Sequence, residues 1–298
     1  MTDSIGSETV QVTPQTEAKV KTETIRTLSQ LVEFADHLYR QFGGEVWWRG
    51  HSRSEFRLVP GAFRNNDDRL TEANRLRRFV RQAPMRRVQC PPSQNLSEWL
   101  FISQHYGLPT RLLDWSESPL IGAYFCVEQD SDIDGTLWAL APIELNFRQF
   151  RRRMVLAPRS VVLTDEIAAP HLDHGSGEFV ARRLFEEAFD ETLTSTDGIF
   201  ALMPDETDVR MQLQMSMFTL HGISRPLEEF APAALWKLLI PSEVKRDLIA
   251  SLLALGICRS NIFPDLENLA RDLRNLSFVP YTSTYIDSSR ELTGDDPD

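Results

Sequence analysis

Apolar side chains recur at helical spacing along SQLVEFADHLYRQF, where Leu31, Val32, Phe34, Ala35, Leu38, Tyr39 and Phe42 mark one helix over about 29–42. Thr27 or Ser29 is its cap and Gly43–Gly44 its stop. VWWRG at 46–50 is short, aromatic and β-branched at its start, and reads as a strand. The stretch Phe56 to Asn66 is irregular around Pro60, and a strongly basic helix covers 69–83. NLSEWLFISQHY, 95–106, predicts a helix closed by Gly107–Leu108–Pro109. An apolar helix over 117–128 follows, with Pro119 tolerated in its first turn. Gly135 opens the strand TLWALAP. VVLTDEI marks a strand edge, EFVARRLFEEAF a helix, and 198–202 a strand stopped by Pro204. RMQLQMSMFTLHG, 210–222, alternates around Phe218 and predicts one or two strands. LWKLLIPSEVKRDLIASLLALGI passes from strand to helix, bounded by Ser242–Glu243 and Gly256, and a last amphipathic helix covers about 264–275.

Helices and strands mix without βαβ alternation, so the expected class is α+β rather than a doubly wound sheet. Residues 1–24 have few large apolar groups and read as a disordered arm, and 281–298 as an acidic flexible tail. That leaves one domain over 25–280.

Composition narrows the function classes. At 298 residues, 42% hydrophobic and 25% charged, the chain can bury a sizeable core. A net charge of −11 argues against indiscriminate binding to nucleic acid but permits a local basic patch. Cys90, Cys126 and Cys258 are far apart with no CxxC, which disfavours a disulfide framework and a cysteine zinc site. His171 and His174 lie close together but lack an evident third ligand, so no metal site is expected. No apolar run reaches the length of a membrane span, and the first residues lack the pattern of a secretory signal, so the cytoplasm is the expected location. P-loop, GxGxxG, HExxH and GxSxG patterns are all missing.

Polar chemistry concentrates in two places. WWRGHS puts Arg49 on a strand next to Gly50; a guanidinium forks onto carboxylate or phosphate, and a glycine lets a ligand approach the backbone. A salt bridge holding the strand end explains the same residues. QHYGLPTRLLDW sets Gln104, His105, Arg111 and Asp114 within eleven residues around a Gly–Pro turn. Arg111 and Asp114 are spaced to pair, and Trp115 offers a face for stacking a base; a buried structural pair beside a core tryptophan is the alternative. His105, at a helix end, is either a general acid or base or a hydrogen-bonded structural residue. Six arginines within 75–87, among them Arg75, Arg77, Arg78 and Arg81, and four more within 147–153 are either phosphate-steering clusters or solvated faces.

Taken together, WRG (48–50), QHYGLPTRLLDWS (104–116) with SPLIGAYFCV, RMQLQMSMFTLHG (210–222) and NIFPDLENLA (261–270) resemble the FRG domain family, Trp48 standing in the phenylalanine place. The family's members are bacterial and phage-related, associated with defence or toxicity. The layout also resembles, more remotely, that of ADP-ribosyltransferases: Arg49 on a first strand, DWS (114–116) before a helix and a strand, and Gln212–Leu213–Gln214 before Phe218–Thr219–Leu220. That resemblance implies small mixed or antiparallel sheets forming a cleft with flanking helices, and NAD bound there as substrate. It implies a catalytic set of Arg49, His105, Asp114 and Gln214, a nucleotide-binding set of Arg49, Gly50, Arg111, Trp115 and Ser116, and a nucleic-acid or phosphorylated acceptor steered by Arg75, Arg77, Arg78 and Arg81. Gln214 departs from the family's glutamate; an amide orients by hydrogen bonds but supplies no charge. Two other readings stay open: a nucleotide- or partner-binding module without turnover, and a phosphodiesterase or nuclease built on His51, His105 and Asp114.

Overall fold

Thr27 caps helix α1 (Leu28–Phe42) through its hydroxyl, which accepts the N–H of Gln30 at 3.2 Å, while Gln30 Oε1 accepts the N–H of Arg26 at 2.8 Å. This reciprocal pair satisfies two donors that a helix start leaves open. At the other end Gly43 takes the left-handed φ of 69°, which lets the chain turn sharply towards the sheet. The computed structural model describes residues 19–64, 69–86, 90–92, 96–150, 153–156, 198–204 and 209–274.

The strands are β1 (Lys21–Thr24), β2 (Trp47–His51), β3 (Leu112–Ser116), β4 (Gly135–Leu140), β5 (Ile199–Leu202), β6 (Ser216–His221) and β7 (Leu235–Ile240). They form one mixed sheet in the order β1-β7-β4-β2-β3-β6-β5, parallel only between β1 and β7. The expected small sheets are thus a single seven-stranded one, but its continuity is uneven. β2 pairs along its length with β4, and β3 with β6, whereas β2 meets β3 only at Trp48–Ser116. The sheet is two leaves, β1-β7-β4-β2 and β3-β6-β5, joined by a seam one residue pair long.

The remaining helices are α2 (Gly61–Arg64), α3 (Arg69–Gln82), α4 (Leu96–His105), α5 (Pro119–Val127), α6 (Pro142–Phe150), α7 (Val209–Leu213), α8 (Leu227–Phe230), α9 (Ser242–Ala254), α10 (Arg259–Ile262) and α11 (Leu266–Arg274). Leu31, Leu38, Trp48, Leu137, Leu238 and Leu248 build the core between one face of the first leaf and α1, α5 and α9. Trp99, Leu100, Phe200, Phe218 and Leu220 pack α3 and α4 on the second leaf. Trp47, Leu113, Trp115, Trp138 and Leu140 fill a third cluster with Leu145 of α6 and Leu227 of α8. Each such large apolar side chain stabilises the fold by roughly 1.5–3 kcal/mol on burial.

Close backbone approach fixes α5 on β2. A Cβ at Gly50 would fall into the backbone of Gly122 and Cys126, and one at Gly122 would lie 2.9 Å from Trp48 Cβ. The close approach of α5 therefore demands a glycine at 50.

Other expectations need correction. Lys21–Thr24, assigned to the disordered arm, is an edge strand; all four residues are exposed, so no apolar alternation announces it. Residues 210–222 are not strand throughout: α7 precedes β6. VVLTDEI, EFVARRLFEEAF, His171 and His174 lie outside the described residues, as do 1–18 and 275–298. No described helix is long and apolar enough to cross a membrane.

Candidate functional site

A cleft of about 860 Å³ lies at the seam and takes its lining from both leaves, Arg49 and His51 from β2 and Asp114 and Ser116 from β3. Gln214 and Arg64 close it from α7's end and from α2.

Arg49 is the best-fixed group in it. Its Nε–H donates to His51 Nε2 at 3.1 Å, and Nη1 donates across the seam to the Asp114 carbonyl at 2.6 Å, with Asp114 Oδ2 3.7 Å away. Among the described residues the Nη2 amino group has no hydrogen-bond partner. Because His51 Nε2 accepts, the other ring nitrogen carries the proton, and Nδ1 donates to the Phe56 carbonyl at 3.2 Å. Burial, with Arg49 adding repulsion, pushes the His51 imidazole down to about 3, so the ring is neutral. Burial likewise lowers Arg49 to about 10, partly offset by Asp114, and the guanidinium keeps its charge at neutral pH.

Asp114 is held in turn. Its Oδ2 accepts Gln104 Nε2 at 2.8 Å; Gln104 Oε1 accepts Thr110 Oγ1 at 2.7 Å; and Thr110 Oγ1 accepts the N–H of Leu112 at 3.1 Å. The Gly107–Pro109 turn thus positions the carboxylate beside Arg49. A Cβ at Gly61 would lie 3.3 Å from Pro109 Cβ, and the N–H of Ala62 donates to the Thr110 carbonyl, so the same turn seats α2. On α2, Arg64 donates its Nε–H to the Val59 carbonyl at 2.8 Å, its amino groups having no partner among the described residues. Arg49 and Arg64 repel one another across the cleft.

Ser116 Oγ donates to the Gln214 carbonyl at 2.7 Å and accepts the N–H of Ser118 at 3.1 Å. Gln214 Nε2 donates to the Ile262 carbonyl at 3.4 Å. Met215, with a φ of 46°, turns the chain from α7 into β6; a left-handed non-glycine residue costs on the order of 1–2 kcal/mol, and here the turn brings Gln214 beside Ser116. Beyond it Phe263 lies under the guanidiniums of Arg210 (4.5 Å) and Arg259 (4.8 Å) and meets Phe125 edge-on at 6.0 Å.

The structure brings Arg49, Gly50, Asp114, Trp115, Ser116 and Gln214 to this cleft. Trp115 is only 3% exposed, however, and its indole N–H donates to Thr219 Oγ1 at 3.1 Å, so its ring is core rather than an open stacking face. Arg111 is not part of the lining. It is fully buried, forks onto Glu72 of α3 instead of pairing with Asp114, and stacks over Phe63 at 5.6 Å. His105 also lies off the lining: its carbonyl accepts Arg210 Nη1 at 3.3 Å, and its ring meets Tyr106 edge-on. On α3, Arg77, Arg78 and Arg81 are exposed and Arg75 half-buried, outside the cleft lining. Among the described residues no three His, Cys, Asp or Glu side chains group as metal ligands.

Sequence reasoning missed Arg64, Arg210, Phe263 and Glu128. The one local signal for Arg64 was its place just after Pro60; the others reach the cleft from elements far along the chain.

A family model described as the FRG domain matches residues 44–135, from just before β2 to the first residue of β4. The chain carries an FRG domain. The match contains both strands of the seam, Arg49, Asp114 and Ser116, and the whole Gly–Pro turn. Gln214 and the blocks at 210–222 and 261–270 lie beyond the matched stretch of the FRG domain. No curated protein and no solved structure matches the chain.

Proposed function

We propose that the cleft binds a nucleotide pyrophosphate, with NAD as the substrate, and that the protein is an ADP-ribosyltransferase-like enzyme of the kind associated with bacterial defence or toxicity. One observation carries the reading: Arg49, Ser116 and Gln214, far apart in sequence, line a single cleft where the sheet parts. Nη2 of Arg49 and both amino groups of Arg64, without partners among the described residues, suit a pyrophosphate. Ser116 and the Gln214 amide stand where ribose hydroxyls need polar partners, and Phe125 and Phe263 give an apolar wall for a ring. Asp114 keeps Arg49 charged and aimed. The exposed arginines of α3 offer a surface for a phosphate-bearing acceptor.

Purified protein incubated with NAD labelled in the adenosine half, together with DNA, RNA and lysate, tests the reading. Label is expected on one acceptor class with the wild type and not with Arg49→Ala; equal transfer by both, or none by folded wild type, overturns it.

A second reading has its own support. Gln214 offers an amide where the resembled enzymes have a carboxylate, which favours binding without turnover. It is distinguished by NAD affinity without nicotinamide release. The phosphodiesterase reading draws no such support: both ring nitrogens of His51 are engaged, and His105 does not line the cleft.

A further inference from the structure

Glu128 follows the last turn of α5, its N–H donating to the Tyr124 carbonyl at 2.9 Å. Its carboxylate lines the cleft, 13% exposed. Oε2 accepts Arg259 Nη1 at 2.8 Å. Arg259 is itself fixed: its Nε–H donates to Asn268 Oδ1 at 2.6 Å, and its guanidinium lies on Phe263. A carboxylate has about four lone-pair sites, so the Arg259 bond leaves room for a further partner.

The position of Glu128 relative to Gln214 makes it more than an ion pair. Both side chains line the cleft, and both are tethered to α10, a helix of four residues. Glu128 holds its first residue through Arg259, and Gln214 its last through the Ile262 carbonyl. One short helix therefore anchors both. Asp114, also ion-paired, is held by Arg49 and Gln104 rather than from α10.

We propose that Glu128 is the catalytic carboxylate, supplying from the end of α5 the charge that position 214 lacks. This rests on the NAD-using reading above. In the step it serves, the bond between ribose C1′ and the nicotinamide nitrogen breaks, and its electron pair leaves with neutral nicotinamide. Positive charge develops at C1′, opposed by the Glu128 carboxylate. The oxygen of water or of an acceptor hydroxyl bonds to C1′, and its proton passes to Glu128.

The test compares wild type, Glu128→Gln and Glu128→Asp by NAD titration calorimetry, nicotinamide release and thermal unfolding. Glu128→Gln is expected to bind NAD within about threefold of wild type while releasing nicotinamide about a hundredfold more slowly or worse. Adding Gln214→Glu to Glu128→Gln is expected to restore part of that rate, which a merely structural role for Glu128 does not explain. Should Glu128→Gln unfold, Glu128→Asp decides, keeping the charge but withdrawing it by a methylene, with a lowered rate at unchanged affinity expected. A variant that binds and turns over like wild type overturns the role of Glu128 alone. Wild type that binds NAD but releases no nicotinamide overturns the enzymatic reading, and the role of Glu128 with it.

Discussion

His51 accepts the Nε–H of Arg49 at 3.1 Å, and that bond fixes the plane of a guanidinium that lines the cleft. The bond exists only while the imidazole is neutral with its proton on Nδ1, the state that burial and the Phe56 carbonyl enforce. His51→Gln keeps an acceptor near that place, and His51→Phe removes it. Nucleotide affinity is expected to survive the first and to fall roughly tenfold in the second, the worth of about one hydrogen bond to a charged group. Calorimetric titration with ADP checks this; equal affinity in both variants would show that Arg49 needs no such guide.

Arg49 and Arg64 face one cleft and repel each other, so an anion between them relieves a cost the empty cleft carries. Arg64→Ala is expected to weaken ADP by about 1.5–3 kcal/mol and adenosine hardly at all. Raising the salt concentration should shrink that difference. Matching losses for ADP and adenosine would remove Arg64 from the phosphate subsite.

Arg111 and Glu72 form a buried bidentate pair that ties α3 to the turn before β3. Glu72→Ala leaves the guanidinium buried without its counter-charge. A loss of about 3–5 kcal/mol is expected in urea unfolding, enough to threaten folding altogether. A loss below 1 kcal/mol would mean that solvent reaches the site.

Stability should also fall on mild acidification. His221 is fully buried, its Nε2 is hydrogen-bonded with the Thr219 hydroxyl at 3.0 Å, and burial beside Arg111 and Arg49 lowers it to about 3. Unfolded histidine takes its proton near pH 6.5, so between these values the unfolded chain holds more protons. Stability contributed by neutral His221 is complete above about pH 6.5 and is lost as pH falls towards 3. By pH 4.5 the loss amounts to roughly 2–3 kcal/mol. Urea midpoints for wild type and His221→Gln, measured from pH 7 to 4.5, should converge as the pH drops; parallel curves would exclude His221 as the cause.

Elements whose signals are local could be read from the sequence. Thr27, Leu31, Leu38 and Gly43 define α1 within its own span, and the aromatic run at 46–50 marks β2. Arg49, Asp114 and Ser116, which line the cleft, stood out in the sequence because they crowd polar groups into apolar strands. What failed depends on partners distant in the chain. Arg111 was read against Asp114, three residues on, yet its counter-charge is Glu72. Trp115 was offered to a ligand, yet Thr219, from the neighbouring strand β6, claims its N–H. For Gly50, the packing demand comes from a helix that begins almost seventy residues later, out of reach of a local reading. Periodicity in 210–222 missed α7 because one helical turn is too short to establish a 3.6-residue period.

The seam between β2 and β3 gives this cleft a different character from a pit in a solid surface. Its walls belong to two leaves whose strands pair only at Trp48 and Ser116, with the side chain of Arg49 as a second clasp and one shared apolar cluster behind them. A molecule gripped by Arg49 on one side and by Ser116 on the other would act as a rivet through the sheet. Selection would then depend on span: a ligand too short to reach both leaves leaves the rivet unset, however well either end fits.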